Sequence, residues 1–569
     1  MANRLKQLVK SPSFWIYLTL SALISGFYLS CFESQAVGFI HDDGVYLIMA
    51  KAFASGQGPH LIHLVTQPVE VKYPFFYPWV LSFLWRLYPQ FPQNLFGIQT
   101  FSVLCFLGAM GFFWRFCRKT YQLPPWLCAV IMAFTAMNYY VLYFTTSVMS
   151  EALFMLLSFA LLSVVSEDLE AQDTTAPEKP IKLWLWVVLS ALMFHTRAVG
   201  ITLIGAVTLL LLLRREWRTA LIYGATVFIL TLLPWTLWKN HFTPAMTPLT
   251  RPILSAYCDY SMEFFYNLAH WDVLDQLARS LGVLSRACAQ MMFPIVTDFF
   301  VIFPKWYASF PTWAFWVFIA GYFTVVYGLL GYWVLSLIQA CNRRLFGLAG
   351  LYAFIYLLLI MVWNYQLQMT RFLLVVLPLL WLFFFLPIYH WTKANWSARN
   401  WVKPASFTGL ALLIAVSLFT TSHSYEFLRH ARQNHLLDVA ETKMLWPDYQ
   451  EAFQLIQQMT GKTDTIAAGW ETVVYLNTDR PMFYLYLPVL QKDKKTGRVT
   501  EQSYVDLYRC FQHYHVKYLL VEPELVQGII MGPQSTPARG LIDRYPQAFK
   551  PLWVSSHHLL YLFEFTNSK

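Results

Sequence analysis

Residues 41–58, HDDGVYLIMAKAFASGQG, set two adjacent carboxylates, Asp42 and Asp43, beside His41 and just after the first long apolar run of the chain. An aspartate in this place can cap the helix that the following apolar pattern predicts, or it can take a proton from a reacting hydroxyl as a general base. Capping accounts for one aspartate, and less well for two with a histidine alongside. Four more charges stand at the ends of apolar runs: Lys72 in VKYP, Glu151 in TTSVMSEALFMLL, Arg197 in FHTRAVGITL and Arg371 in NYQLQMTRFLLVVLPLL. Each would cost about 2.5–3.5 kcal/mol facing lipid at mid-bilayer, and each alone fits a side chain snorkelling to the interface. Together they offer acids and bases at one depth in a chain otherwise poor in charge. Carboxylates beside lysine and arginine suit a reaction between a neutral nucleophile and a phosphate-bearing lipid.

The elements that must position these residues are apolar. The 569 residues are 57% hydrophobic, 18% aromatic and only 13% charged, against roughly a quarter charged in an average soluble domain. Repeated apolar runs of about 20 residues match the length that crosses ~30 Å of hydrocarbon, so the chain reads as a polytopic α-helical membrane protein. Eleven spans are predicted: 13–32, 94–114, 126–145, 148–165, 182–196, 198–213, 219–238, 312–338, 345–363, 371–391 and 404–421. The pair around 182–213 is short enough to be one broken segment. The net charge of +10 comes from Lys and Arg scattered in short loops, which fits topology signals and anionic lipid rather than nucleic acid. Arg4, Lys6 and Lys10, then Arg115, Arg118 and Lys119, Arg214, Arg215 and Arg218, Arg343 and Arg344, and Lys393, Arg399 and Lys403 occupy alternate loops. Those loops are then cytoplasmic.

On this scheme the segments 33–93 and 239–311 and the tail face outside. The pattern after Asp43 predicts an amphipathic helix on the membrane surface, and the Pro- and aromatic-rich stretch that follows belongs in the interface. The division is a transmembrane part, 1–421, and a small extracytoplasmic α/β domain, 422–569. In the latter TDTIAAG and VKYLLVEP read as strands, PDYQEAFQLIQQMTG as a helix and KPLWVSSHHLLYLFEF as a strand pair. The eight cysteines show neither CxxC nor metal spacing and read as small apolar side chains.

Three stretches, Asp42-Asp43-Gly44-Val45-Tyr46, Gly56-Gln57-Gly58 and Lys72-Tyr73-Pro74-Phe75-Phe76-Tyr77-Pro78, resemble in type and order the first external loop of glycosyltransferase family 39. That family comprises protein O-mannosyltransferases and aminoarabinose lipid A transferases with the C-type glycosyltransferase fold. SVMSEALF, HTRAVG, LLPWTLWKN and MTRFLLVVLP are similar to later landmarks of the same family. Val71 stands where the aminoarabinose transferases carry an acid, and Asp43 where many relatives carry Glu. The resemblance implies a multi-pass protein of the inner (plasma) membrane that moves a sugar from a polyprenyl-phosphate donor to a hydroxyl or phosphate on a lipid, glycan or protein acceptor. It implies an inverting single displacement on the extracytoplasmic face, with Asp42 as base and Asp43 orienting it or binding the sugar. Tyr46, Lys72, Tyr77, Glu151, Arg197 and Arg371 are the implied substrate-binding residues; the three cations would hold the leaving phosphate. No cofactor is required, though a divalent cation is compatible with the pattern. A transporter or lipid flippase is the competing expectation. It would place its charges at mid-membrane and show a repeat.

Overall fold

The computed structural model describes residues 11–32, 37–174, 182–243, 247, 249, 273–292, 347–362, 369–396, 402–433, 445–485, 501–526, 529–531 and 537–566. The expected span 312–338 and most of the 239–311 segment lie outside the described residues.

Five of the described helices are long and apolar enough to cross a membrane: Pro12–Leu29, Leu95–Thr120, Glu151–Ala171 within a helix that continues to Thr174, Trp217–Phe242, and Val402–Phe419 within Val402–Gln433. The Trp217–Phe242 span is broken at Thr231 into Trp217–Leu230 and Leu232–Phe242. Their surroundings differ sharply. The 151–171 window is 78% buried, whereas those starting at Pro12 and Val402 are 11% and 6% buried. The outer helices therefore present Trp15, Leu23, Leu221, Phe407 and Leu412 outward, a surface too apolar for water and suited to lipid.

The span expected at 126–145 is a bent pair, Pro125–Ala136 and Tyr139–Thr145, turned by 70°. Asn138 causes the break: its side chain accepts from the backbone N–H groups of Tyr140 and Val141 (3.0 and 3.3 Å), capping the second helix. Leu183–Thr196 and Ile201–Leu213 are separate short helices joined at Arg197, as the sequence allowed.

The helix Asp42–Ala54 departs from expectation. It does not lie exposed on a membrane surface: Asp43–Ala50 and Ala52 are all buried. Its apolar residues run round the whole circumference, the pattern of an enclosed helix rather than an amphipathic one. The next helix, Phe76–Leu87, is amphipathic. It buries Tyr77, Leu81 and Trp85 and exposes Trp79, Phe83 and Leu87, as an interfacial helix should.

The C-terminal part builds a mixed five-stranded sheet in the order β2-β1-β3-β7-β6. The strands are β1 Thr465–Ala468, β2 Met482–Tyr484, β3 Val516–Val521, β6 Phe549–Val554 and β7 Tyr561–Phe565, with a separate hairpin of β4 Glu524–Val526 and β5 Ile529–Met531. β2, β1 and β3 are parallel, while β3, β7 and β6 run antiparallel. The first loop docks on the exposed edge of β2. Met482 donates its N–H to His63 O (2.7 Å) and accepts from the N–H of Val65 (3.0 Å), covering an edge that would otherwise invite foreign strands. Phe39 meets Trp446, Tyr449 and Trp470 edge-on, with ring centroids 6.2, 5.3 and 5.5 Å apart. The turn that carries Asp42 is thus packed into the core of the C-terminal sheet unit.

Candidate active site

Asp42 opens its helix where the start of the Glu151–Thr174 helix, the break at Arg197 and the short helix Met369–Leu373 converge. One carboxylate oxygen lies 2.7 Å from Arg371 Nη1; the other accepts from the Tyr73 hydroxyl at 2.5 Å. Arg371, only 4% exposed, also donates from Nε to Glu151 Oε1 at 2.5 Å. Glu151 is the first residue of its helix, where the helix dipole favours an acid. The same oxygen lies 2.7 Å from Arg197 Nη1, which donates to Ser150 Oγ at 3.1 Å. Arg197 sits in extended backbone at the break between two helices, so the break aims its side chain at Glu151. Two arginines and two carboxylates, Arg371 and Glu151 buried and Arg197 and Asp42 partly so, share one site. Taking such charges out of water is tolerable only when they are paired and hydrogen-bonded in this way.

Four of the residues singled out in the sequence, Asp42, Glu151, Arg197 and Arg371, therefore meet directly. Tyr46 joins them through its hydroxyl, 3.3 Å from Ser150 Oγ. Tyr77 stands one layer back, buried and edge-on to Tyr46 with centroids 5.1 Å apart. Lys72 is at the rim: its ammonium lies over the ring of Tyr73, 5.3 Å from the centroid.

Asp43 goes elsewhere. Buried at 3% exposure, it accepts the backbone N–H of Gly38 on one oxygen (3.0 Å) and of Gly44 on the other (2.9 Å). The two aspartates accordingly have opposite acidities. Burial, the largest single influence, pushes Asp42 up, but the guanidinium of Arg371 together with His41, Tyr73 and Lys72 outweighs it, so the carboxyl lies well below its usual range. Burial dominates at Asp43, only partly offset by the two backbone donors and reinforced by Asp42, and raises it to about 6.

His41 precedes both in an unusual backbone conformation, φ +70° and ψ −57°. The Asp42 N–H bonds Ile40 O at 3.0 Å across it, which makes His41 the centre of a classic-type γ-turn, a rare and strained form. Holding a non-glycine residue there costs about 1–3 kcal/mol and persists only where the surroundings enforce it. The imidazole lies 4.0 Å from Asp42 Oδ1 through Nδ1 and 3.4 Å from Glu471 Oε1 through Nε2. His63 approaches the same Glu471 oxygen at 3.7 Å.

Sequence reasoning passed over Tyr73, Glu70, His63 and Glu471. Tyr73 sits inside the quoted Lys72–Pro78 stretch, so its signal was available. Glu70 is buried and uses Oε1 to accept the N–H groups of Lys72 and Tyr73 (2.9 Å to the latter), which fixes the loop that presents Tyr73. Burial outweighs those donors and raises Glu70 to about 7. Glu471 lies more than 400 residues along the chain and gave no signal. Among the described residues no group of three or more His, Cys, Asp and Glu side chains is arranged to hold a metal ion. The two carboxylates nearest the centre are already neutralised by arginine, a donor set that does not fit a divalent cation.

No protein-family profile matches the chain, and no curated protein matches it either. Solved structures do. ArnT from Cupriavidus metallidurans bound to undecaprenyl phosphate matches with a TM-score of 0.50 at 13% identity, over 98% of this chain and 99% of that one. Its apo form matches over 96% and 97%, also at 0.50. The Archaeoglobus fulgidus oligosaccharyltransferase in the apo form matches with a TM-score of 0.52 at 9% identity, over 97% of this chain and 74% of that one. The chain thus shares the C-type glycosyltransferase fold of these membrane proteins.

Proposed function

We propose that this protein is an integral-membrane glycosyltransferase that uses a polyprenyl-phosphate sugar and works by inverting single displacement. The observation that carries the reading is Arg371 bridging Asp42 and Glu151, each at the start of its own helix. It gains support from the whole-chain likeness to a protein bound to undecaprenyl phosphate. In the reaction, the acceptor hydroxyl oxygen forms the new bond to the anomeric carbon while the bond from that carbon to the phosphate oxygen breaks. The polyprenyl phosphate leaves with the electron pair, and the hydroxyl proton passes to Asp42.

The resting geometry explains how one cation can serve both ends of this step. While Arg371 is paired to it, Asp42 is ionised but a weak base. A donor phosphate that draws the guanidinium toward itself weakens that pairing, and the basicity of Asp42 rises as the leaving group becomes stabilised. Arg197 shares Glu151 with Arg371, so a second cation remains beside the buried acid when Arg371 moves. Asp43 acts on the turn rather than on the sugar, since backbone donors take both of its oxygens.

The site and the C-terminal α/β domain are assigned to the extracytoplasmic face, with the division near residue 421. The test of activity is mass spectrometry of products from the purified full chain supplied with a panel of defined polyprenyl-phosphate sugars. Release of polyprenyl phosphate with a glycosylated product is expected. A folded enzyme that consumes none of the panel, or one that moves intact lipid between leaflets, would overturn the reading. Sidedness is tested separately by labelling cysteines placed at Gln57 and Asp493 from outside intact cells; labelling only after lysis would reverse the orientation.

A further inference from the structure

We propose that Glu471, from the C-terminal sheet unit, is a positioning residue for Asp42, clamping His41 in its strained turn as an imidazolium that steadies the Asp42 carboxylate. The inference rests on the glycosyltransferase reading of the site and adds to it a residue from the other end of the chain.

Several independent features make the clamp. Glu471 is the first residue of the helix Glu471–Thr478 and is wholly buried. Its Oε1 faces His41 Nε2 at 3.4 Å and His63 Nε2 at 3.7 Å. Tyr484 of β2 lies against the His41 ring with centroids 5.5 Å apart. Next to Glu471, Thr472 donates its hydroxyl to Gly38 O at 3.2 Å, which ties down the start of the same turn. A γ-turn at a histidine would relax if nothing enforced it, and the enforcing contacts at its side chain come from residues 471–484.

The charged and titratable groups facing His41 are Asp42 and Asp43 from its own helix, Glu471 from the C-terminal unit, and His63 across Glu471. Burial alone would lower the imidazole, but Asp42 and Glu471 reverse that and raise it to about 9. Because the folded value exceeds the ordinary one, the interaction is fully present below ~6.5 and is lost as pH rises through about 9. His63, in contrast, is lowered by its burial despite Glu471, so His41 is the histidine that Glu471 keeps charged. When a donor phosphate draws Arg371 away, that imidazolium and the Tyr73 hydroxyl are what still orient Asp42.

The test uses the purified full chain and reads protonation and turnover side by side. Diethyl pyrocarbonate acylates neutral imidazole, so mass spectrometry of the peptide containing His41 across pH 6–10 follows its ionisation. In the wild type His41 should resist labelling until near pH 9. In Glu471→Gln, which keeps the side-chain shape, labelling at pH 7.5 should rise about tenfold or more, given the distance between about 9 and an ordinary ~6.5. The exposed His558 should label equally in both proteins, which separates loss of charge from general unfolding. Turnover of Glu471→Gln should fall off above about pH 7, where the wild type holds to about pH 9, with kcat lowered and the donor KM nearly unchanged. Glu471→Asp should recover much of the upper limb. Should Glu471→Gln fail to fold, His41→Asn, which tolerates a positive φ and carries no titrating group, must show the lowered turnover already at pH 7 and lose the alkaline limb near pH 9.

An unaltered His41 labelling profile in Glu471→Gln, or altered labelling with an unaltered pH profile of turnover, would overturn the positioning role while leaving the glycosyltransferase reading intact. A folded wild type that consumes no donor would instead remove that reading, and the positioning role with it.

Discussion

The turn that carries Asp42 is gripped from two sides, and the two grips differ in kind. On the membrane side Arg371 and Arg197, with Glu151 between them, make a cluster of full charges at 2.5–2.7 Å. On the other side the C-terminal unit supplies one acid near the turn, Glu471, which two histidines meet at 3.4–3.7 Å, with the Thr472 hydroxyl bonded to Gly38 O, backbone bonds at Met482 and close packing around them. The membrane side holds groups able to move a proton and stabilise a phosphate. The outer side holds groups able to fix a backbone. This contrast assigns chemistry to the first and geometry to the second, and substitutions on the two sides should therefore fail differently.

The largest effect is expected at the centre. Asp42→Asn keeps the shape but removes the proton acceptor, and general base catalysis typically contributes about 10²–10⁴-fold. Turnover of a polyprenyl-phosphate sugar should fall by that order, while binding of undecaprenyl phosphate persists. Near-normal turnover would break the assignment of chemistry to the membrane side.

Arg371→Lys comes next. Lysine keeps the charge, but a single ammonium cannot reproduce a guanidinium that bridges Asp42 and Glu151 through separate nitrogens. Loss of one charge-assisted hydrogen bond is worth about 1.5–3 kcal/mol, so donor affinity or turnover should drop roughly tenfold or more. Wild-type donor kinetics in a folded Arg371→Lys enzyme would remove Arg371 from the site.

On the outer side the sharpest probe is Gly44, the glycine of HDDG. A Cβ built there would come within 2.6 Å of Thr472 Cβ and 3.0 Å of Gly38 Cα, so the helix Asp42–Ala54 and the Glu471–Thr478 helix approach too closely for any side chain. Gly44→Ala should cost about 1–3 kcal/mol through overpacking. It should lower thermal stability and speed proteolysis of the C-terminal unit. A stable Gly44→Ala protein would mean that the two parts are not tightly joined at this turn.

The same contrast explains what the sequence disclosed. Charges are rare in this chain, and a charge at the end of an apolar run must find a partner, so Asp42, Glu151, Arg197 and Arg371 could be selected before any of them was known to touch. Five of the eleven expected spans, near 12–29, 95–120, 151–171, 217–242 and 402–419, were legible because hydrocarbon thickness dictates their length, although the 70° bend at Asn138 was not, because a side-chain cap does not interrupt apolarity. Likewise β1, β3 and the β6–β7 pair fall where alternation and turn residues put them. The burial of the Asp42–Ala54 helix depends on what packs over it, and a short apolar helix reads alike on a membrane or beneath a sheet. Glu471 was illegible for the same reason: one glutamate at a helix start is ordinary until the fold brings it to His41.

The smallest effect on turnover, and the finest discrimination, is expected at Asp43. Its two oxygens accept N–H groups from Gly38 and Gly44. An asparagine can satisfy one of these but must present its amide to the other. Asp43→Asn should loosen the turn, with turnover falling less than in Asp42→Asn. The pH dependence gives a second handle. Burial raises Asp43 to about 6, above its ordinary ~3.9, so between those values the folded protein binds a proton that the unfolded chain has released. Stability then falls as pH rises from about 4 to about 6, and this contribution is level above that window. Asp43→Asn removes the titrating group and should flatten that part of the stability profile, whereas Asp42, held low by Arg371, contributes in the opposite sense: its stabilisation is present above ~4 and fades as pH falls. Thermal unfolding of the two variants from about pH 2 to 7 separates these contributions, Asp42 acting below ~4 and Asp43 between about 4 and 6. If Asp43→Asn keeps the wild-type slope in that window, Asp43 is not the buried, turn-holding acid described here, and the division of labour between two neighbouring aspartates fails with it.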